Sequence, residues 1–302
     1  MSLGTSSQNP SNGGTAATVA RRLADLYARD GFWRERWRRA GHVRAPESLE
    51  GLAPTTISDI AGDERACPPY GSWRAASSFV RVGVPARDSA LEMLVFTTED
   101  LEAEARVGAM ALAAAGLAPG GRETNAFAGG LATPGSLVVG DAAQALGALD
   151  MPVGPIAAAG PRDTAFDFWQ RVKPDFAVLD AAGVRDLASL LAEKKTTAAG
   201  LGIRAAALVT DLRDDAPSVP DLDVPTTRIV GLAEAFSLLA ACDPHGIFVA
   251  PGSEVVLEVQ DGELLVTTLR HSAALVRYAP GVRARLVEAP VGRSQDCAFV
   301  LV

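Results

Sequence analysis

The sequence predicts a layered α/β fold with parallel or mixed sheets, flanking helices and a small antiparallel β annex. Three observations carry this. Buried-type apolar runs at 176–179 and 203–209 flank an amphipathic stretch at 184–195, the alternation of a parallel sheet with crossover helices. Beyond Asp221 the chain turns β-rich, with runs at 254–260 and 263–269 split by Asp261-Gly262, a strong short-range hairpin signal. A chain of 302 residues, 48% hydrophobic and 21% charged, suffices for a large buried core.

Taken in order, residues 1–18 are rich in Ser, Gly, Asn and Thr and are expected to form a disordered tail. Residues 19–40 are expected to be helical, with Leu23, Leu26, Tyr27, Phe32, Trp33 and Trp37 as apolar contacts and a possible break at Asp30-Gly31. The arginines between Arg21 and Arg39 fit a solvated face with snorkelling stems. Strands follow at 79–84 and 91–96, and Thr97 or Thr98 then caps a helix that runs to about Ala115 and stops at Gly116 and Pro119. An Asp163-capped helix carries Phe166, Phe168 and Trp169, and precedes the strand–helix–strand alternation. After the hairpin, the stretch 283–288 is expected to join the antiparallel unit, giving an annex over about 246–290.

Charge and composition exclude several function classes. A formal net charge of -8 repels a polyphosphate backbone and argues against nucleic acid as partner. No apolar run approaches the roughly 20 residues of a membrane-spanning helix. Cys67, Cys242 and Cys297 are odd in number and far apart, which fits a reducing, cytoplasmic compartment better than a disulfide framework. His42, His245 and His271 are too scattered for a His-based metal cluster, and Cys242-x-x-His245 is only half a zinc site. Cys242 reads instead as a small buried hydrophobe at a helix end. Ser77, Ser78 and Ser136 lack the context of a nucleophile elbow. The glycines at 116–121 and Gly129-Gly130 suit either close approach to a ligand or plain turns.

Motif order adds a resemblance. Phe32-Trp33-Arg34-Glu35-Arg36-Trp37-Arg38-Arg39-Ala40-Gly41, then Leu52-Ala53-Pro54-Thr55-Thr56, then Phe96-Thr97-Thr98-Glu99-Asp100-Leu101 stand in sequence. Ala114-Ala115-Gly116-Leu117-Ala118-Pro119-Gly120 and Asn125-Ala126-Phe127-Ala128-Gly129-Gly130-Leu131 follow, then residues 168–176. Val230-Gly231-Leu232-Ala233-Glu234, Gly262-Glu263-Leu264-Leu265, Arg277-Tyr278 and Gly292-Arg293-Ser294-Gln295-Asp296 complete the series. From Tyr27 onward the chain resembles the phenylacetate-CoA ligase branch of the adenylate-forming superfamily. The resemblance implies a large adenylate-forming-type domain over 19–290 and a hinge stump over 291–302. It implies nucleotide contacts at Gly231, Glu234, Arg293 and Asp296, magnesium on Glu234, and a substrate pocket around Phe127, Gly129, Gly130 and Val230.

The departures bear on activity. The family grips ATP phosphates with a flexible Ser/Thr/Gly loop; here stand Gly83-Val84-Pro85-Ala86-Arg87-Asp88-Ser89-Ala90, where proline lacks a donor and Asp88 adds negative charge. Arg87 offsets this in part. The ribose-binding aspartate falls on Val282, which accepts no hydrogen bond, and the family's tyrosine is Val230. The small domain with the family's catalytic lysine is expected to be missing after Val302. The resemblance therefore implies a degenerate relative that binds a small carboxylic acid or a carrier-bound acyl group with little or no adenylation. Two alternatives stay open. One is an unusual ATP- and magnesium-dependent acid-thiol ligase, with Glu234 on magnesium and Arg293 near the ribose. The other is an interaction subunit or homodimer, in which the apolar stretch 298–302 pairs with a neighbour's sheet edge.

Overall fold

The computed structural model describes residues 7–8, 13–85, 91, 93–128, 132–133, 135–157, 161–290 and 292–302. The chain divides into two compact units: residues 1–82, 87–100 and 247–302 form one, residues 83–86 and 101–246 the other.

In the first unit, strand β1 (Ser7–Gln8) precedes helices α1 (Gly13–Ala28) and α2 (Phe32–Arg39). The expected break at Asp30-Gly31 is present, because Gly31 takes φ 146°, a conformation that ends a right-handed helix. Helix α1 begins at Gly13, earlier than composition suggested, through the helix-favouring Ala16-Ala17 pair. Leu23, Leu26, Trp33 and Trp37 are buried in one cluster with Leu49, Leu52, Leu269 and Val276, so the aromatic residues of the arginine-rich segment belong to the core. Helix α3 (Ile57–Ala66) is set by a capping box in which Thr56 and Asp59 satisfy each other's backbone N–H. Strands β2 (Arg81–Pro85) and β3 (Leu94–Phe96) are shorter than the expected runs.

Helix α4 (Thr98–Ala114) starts from a second reciprocal cap: Asp100 N–H donates to Thr97 Oγ1 at 3.1 Å and Thr97 N–H to Asp100 Oδ2 at 2.8 Å. From Leu101 the chain belongs to the second unit. There β4 (Arg122–Asn125), β5 (Ala132–Thr133), α5 (Ser136–Leu146), β6 (Leu149–Pro152), α6 (Pro161–Val172), β7 (Phe176–Leu179), α7 (Ala181–Glu193), α8 (Ala198–Leu201) and β8 (Ala205–Asp211) alternate, followed by β9 (Thr226–Leu232) and β10 (Phe236–Cys242). The strands run in the order β6-β4-β7-β8-β9-β10, all parallel except β10. Numbered by appearance, the parallel strands read 2-1-3-4-5, an order whose direction reverses beside β4. Residues of opposite parity on β7 and β8 feed two cores. Ala177, Leu179, Ala206 and Leu208 pack with α6, α7 and α8; Phe176, Val178, Ala207 and Val209 pack with α4 and α5. Burial on both faces explains why β7 reads as an unbroken apolar run.

Three expectations change here. Asp163 does not cap α6; the helix opens at Pro161, a favoured first residue, and Asp163 instead binds Lys194 Nζ at 2.7 Å. Residues after Asp221 do not leave the parallel sheet at once, since β9 adds a parallel strand beside β8. Cys242 ends strand β10 rather than a helix and is only partly buried.

The first unit resumes with β11 (Phe248–Ala250), β12 (Val255–Gln260), β13 (Glu263–Thr268), β14 (Ala284–Val287) and β15 (Cys297–Leu301). The hairpin β12–β13 turns at Asp261 (φ 53°) and Gly262 (φ 82°), the two left-handed residues a type I′ turn requires. Ser7 lies opposite Val259 on its outer edge. Arg277 Nε donates to Glu258 at 3.2 Å and a second guanidinium nitrogen to Gln260 at 2.7 Å, so the Arg277-Tyr278 motif braces the annex. The stretch 283–288 meets the hairpin at its start, where Ala284 N–H donates to Gly262 O at 3.0 Å and Arg283 bridges Glu263 antiparallel, while the ladder of β14 itself is with β15. Strand β15 is paired on both edges, by β11 and β14, with Ala298 and Phe299 fully buried. It is thus no free edge for a neighbour's sheet, and the edge-pairing expectation for 298–302 falls.

Candidate functional site

In a parallel sheet of this order, ligands bind beyond the carboxyl ends of the strands, near the point where the order reverses. In the second unit that edge carries Ala126 and Phe127 after β4, Asp180 after β7, Asp211 to Arg213 after β8, and residues 231–234 at the end of β9. Asp180 is committed to structure, since its Oδ1 accepts from Gly183 N–H at 2.6 Å as the cap of α7. Phe127 is 5% exposed and packs in the core cluster with α4 and α5, and Val230 is fully buried between Thr210 and Ala240. Both side chains are buried. Gly129 and Gly130 lie outside the described residues.

The β9–β10 hairpin owes its tightness to Gly231. A Cβ there would stand 2.0 Å from Ser237 O, closer than any side chain tolerates. The register shifts between Phe236 and Ala240, a β-bulge that leaves Ser237 N–H to donate to Glu104 Oε2 of α4 at 3.0 Å. Ala235 N–H closes the turn on Leu232 O at 2.8 Å. This turn carries Glu234 inward, where its side chain is 1% exposed.

Arg213 meets it there. Its Nη1 donates to Glu234 Oε1 at 2.8 Å and its Nη2 to Glu234 Oε2 at 3.1 Å. The same guanidinium reaches back across its turn to Asp211, Nε to Oδ1 and Nη2 to Oδ2, both at 2.7 Å. Leu212 N–H on Gly231 O at 2.7 Å ties the two segments together. One cation therefore bridges four carboxylate oxygens with the planar fork suited to bidentate contact. Burial opposes the charge on Arg213, yet its hydrogen bonds to Asp211 and the field of Glu234 outweigh it and hold its pKa above the ordinary arginine value.

Magnesium is the ion the resemblance assigns to Glu234, and the arrangement does not fit it. Both Glu234 oxygens are engaged by a fixed cation, and a divalent ion placed there would meet like charge. Among the described residues no cluster of three or more His, Cys, Asp or Glu side chains is poised to hold a metal. In the segment that the resemblance sets against the phosphate loop, Val84 and Pro85 lie in β2, paired in parallel with Ala132 and Thr133 of β5. Residues 86–90, with Arg87 and Asp88, lie outside the described residues. In the first unit, Val282 is buried, and Arg293 Nε pairs with Asp296 Oδ2 at 2.7 Å within one turn. Thus the structure brings Gly231 and Glu234 together in one unit, and Arg293 and Asp296 together in the other.

Sequence reasoning singled out Glu234 but missed Arg213, which binds it, and Asp211, which shares that guanidinium. Arg213 and Asp211 carry no motif, and only the strand end that precedes them hinted at the position. Also missed was a buried polar cluster on β4. Glu123 is fully buried and in register with Asp150 of β6, while Asn125 Nδ2 donates to Asp150 Oδ1 at 3.1 Å. Burial, reinforced by Asp150, holds the Glu123 carboxyl well above the usual carboxylate range, and burial raises Asp150 too.

No protein-family model and no curated protein matches the chain. Solved structures do. A 2-hydroxyisobutyryl-CoA ligase in an open conformation, in complex with 2-HIB-AMP and CoA, superposes with a TM-score of 0.76 at 16% identity over 95% of this chain and 67% of that one. The same ligase in its thioesterification state gives 0.76 at 15% identity, over 97% and 68% of the two chains. In the postadenylation state with 2-HIB-AMP it gives 0.75 at 16%, over 95% and 65%. The chain thus spans about two thirds of the length of these ligases. At such identity the similarity shows the fold alone: a mixed α/β arrangement shared with 2-hydroxyisobutyryl-CoA ligase. Among the described residues no helix is long and apolar enough to cross a membrane.

Proposed function

We propose that the chain is a degenerate, phenylacetate-CoA-ligase-like protein that binds a small carboxylic acid or a carrier-bound acyl group and performs little or no adenylation. The observation that carries this reading is the bidentate seat of Glu234 on Arg213. The carboxylate that the motif assigns to the nucleotide's metal is spent on a protein cation. Support for an acyl-type ligand comes from the ligase fold and from the carboxyl edge of the parallel sheet, where such ligands lodge. Three cysteines, odd in number and far apart in the sequence, fit a cytoplasmic setting.

Equilibrium binding of phenylacetate and of an acyl-CoA to the purified chain, read by calorimetry, tests the reading, alongside an assay for AMP release with ATP, magnesium, acid and CoA. Saturable binding of acid or acyl-CoA without AMP release is the expected pair of results. Turnover dependent on ATP and acid would overturn it. The second reading, an unusual active ligase, is favoured by one observation: the ligase fold extends over 95% of the chain. The AMP assay separates the two directly.

A further inference from the structure

The two carboxylates at the ends of β8 and β9 are held apart from metal by a side chain of the protein itself. Asp211 and Glu234 present four oxygens, each within 3.1 Å of a guanidinium nitrogen of Arg213. The side chains of all three are mostly buried, at 10%, 1% and 18% exposure for Asp211, Glu234 and Arg213. Magnesium commonly keeps several waters and takes only one or two carboxylates from a protein, so two carboxylates converging on a single point resemble its usual protein ligands. Here that point is filled by a cation on a tether, fixed by the turn after β8, in which Asp214 N–H donates to Asp211 O at 3.1 Å.

We propose that Arg213 is a resident counter-ion standing in the place of a divalent cation between Asp211 and Glu234. Whatever the protein binds at this edge is bound without a metal on Glu234, and removing the guanidinium uncovers a latent divalent-cation site. The inference deepens the reading of this site. It draws on the Arg213 geometry that supports that reading and needs no acyl ligand.

The test uses manganese alone, with no nucleotide or acid present, so its outcome is distinct from that of the ligand titrations. Manganese binding is followed by electron paramagnetic resonance and by thermal shift on the full chain, its Arg213→Ala and Arg213→Gln variants, and Glu234→Gln. The wild type is expected to take up no manganese in the micromolar range, and Glu234→Gln to match it. Arg213→Ala, or Arg213→Gln where the alanine variant does not fold, is expected to bind manganese at least about tenfold more tightly than the wild type. Its melting temperature, lowered by the substitution, should rise on adding the ion. Saturable uptake by the wild type that Glu234→Gln abolishes would overturn the proposal. So would a folded Arg213 variant that binds no better than the wild type.

Discussion

At Gly231 a methyl group has no place to go. Its Cβ would meet the Ser237 carbonyl oxygen at 2.0 Å and the carbonyl carbon at 2.7 Å, both backbone atoms of the facing strand. Gly231→Ala should therefore cost at least the roughly 1–3 kcal/mol of an overpacked site, read as a lowered denaturation midpoint. Loss of the buried charge partner is costlier: Arg213→Ala leaves Asp211 and Glu234 facing each other, with an expected penalty of about 3–5 kcal/mol in the same measurement. Glu123 makes a pH-dependent prediction. Its folded-state pKa is raised by burial and by Asp150, so its stabilising contribution is whole below the ordinary glutamate range and is lost as pH rises through the raised value. Glu123→Gln should flatten that decline, so thermal melts of the two proteins should differ increasingly in favour of the variant as pH rises. A parallel pH course for both would contradict the assignment. At this scale a motif drew attention to Gly231 and Glu234 but did not give what they touch. The sequence was silent where two distant residues meet, as Arg213 meets Glu234 or Glu123 meets Asp150, because pairing across strands leaves no local period.

Among the elements, several with local signals took the form expected of them. The Thr97 cap of α4, the Asp261-Gly262 turn and the apolar strand β7 each follow from residues a few positions apart. Strands β4 and β6 escaped notice because their sequences, Arg122–Asn125 and Leu149–Pro152, are largely polar or carry proline, and parallel neighbours complete them. The Asp163 cap failed because Pro161 opens α6 and Lys194 claims the aspartate from another helix. Helix α6 is anchored instead by Trp169, which is 1% exposed and whose indole N–H donates to Thr124 Oγ1 on β4 at 2.8 Å. Trp169→Ala should cost about 3–5 kcal/mol. Trp169→Phe, which keeps most of the volume and loses the donor, should cost clearly less, and equal costs would show that the hydrogen bond and not the packing anchors the helix.

For the molecule as a whole, the fold class was legible because it rests on period and order: two-sided apolar strands, crossover helices and an antiparallel hairpin late in the chain. The motif series pointed to the same fold that the solved ligases share, although no single motif would have carried it at 15–16% identity. What the sequence could not convey is the state of the site. A glutamate in a nucleotide motif reads the same whether it faces a metal or a guanidinium. Only the folded chain shows that the turn after β8 returns Arg213 to it.

Calorimetric titration of the purified chain with ATP and magnesium, with an active acyl-CoA ligase as positive control, bears most directly on this. With Glu234 committed to Arg213, no saturable heat is expected from the wild type under conditions in which the control binds. Saturable micromolar binding that is lost in Glu234→Ala would contradict the account and return Glu234 to the nucleotide's metal.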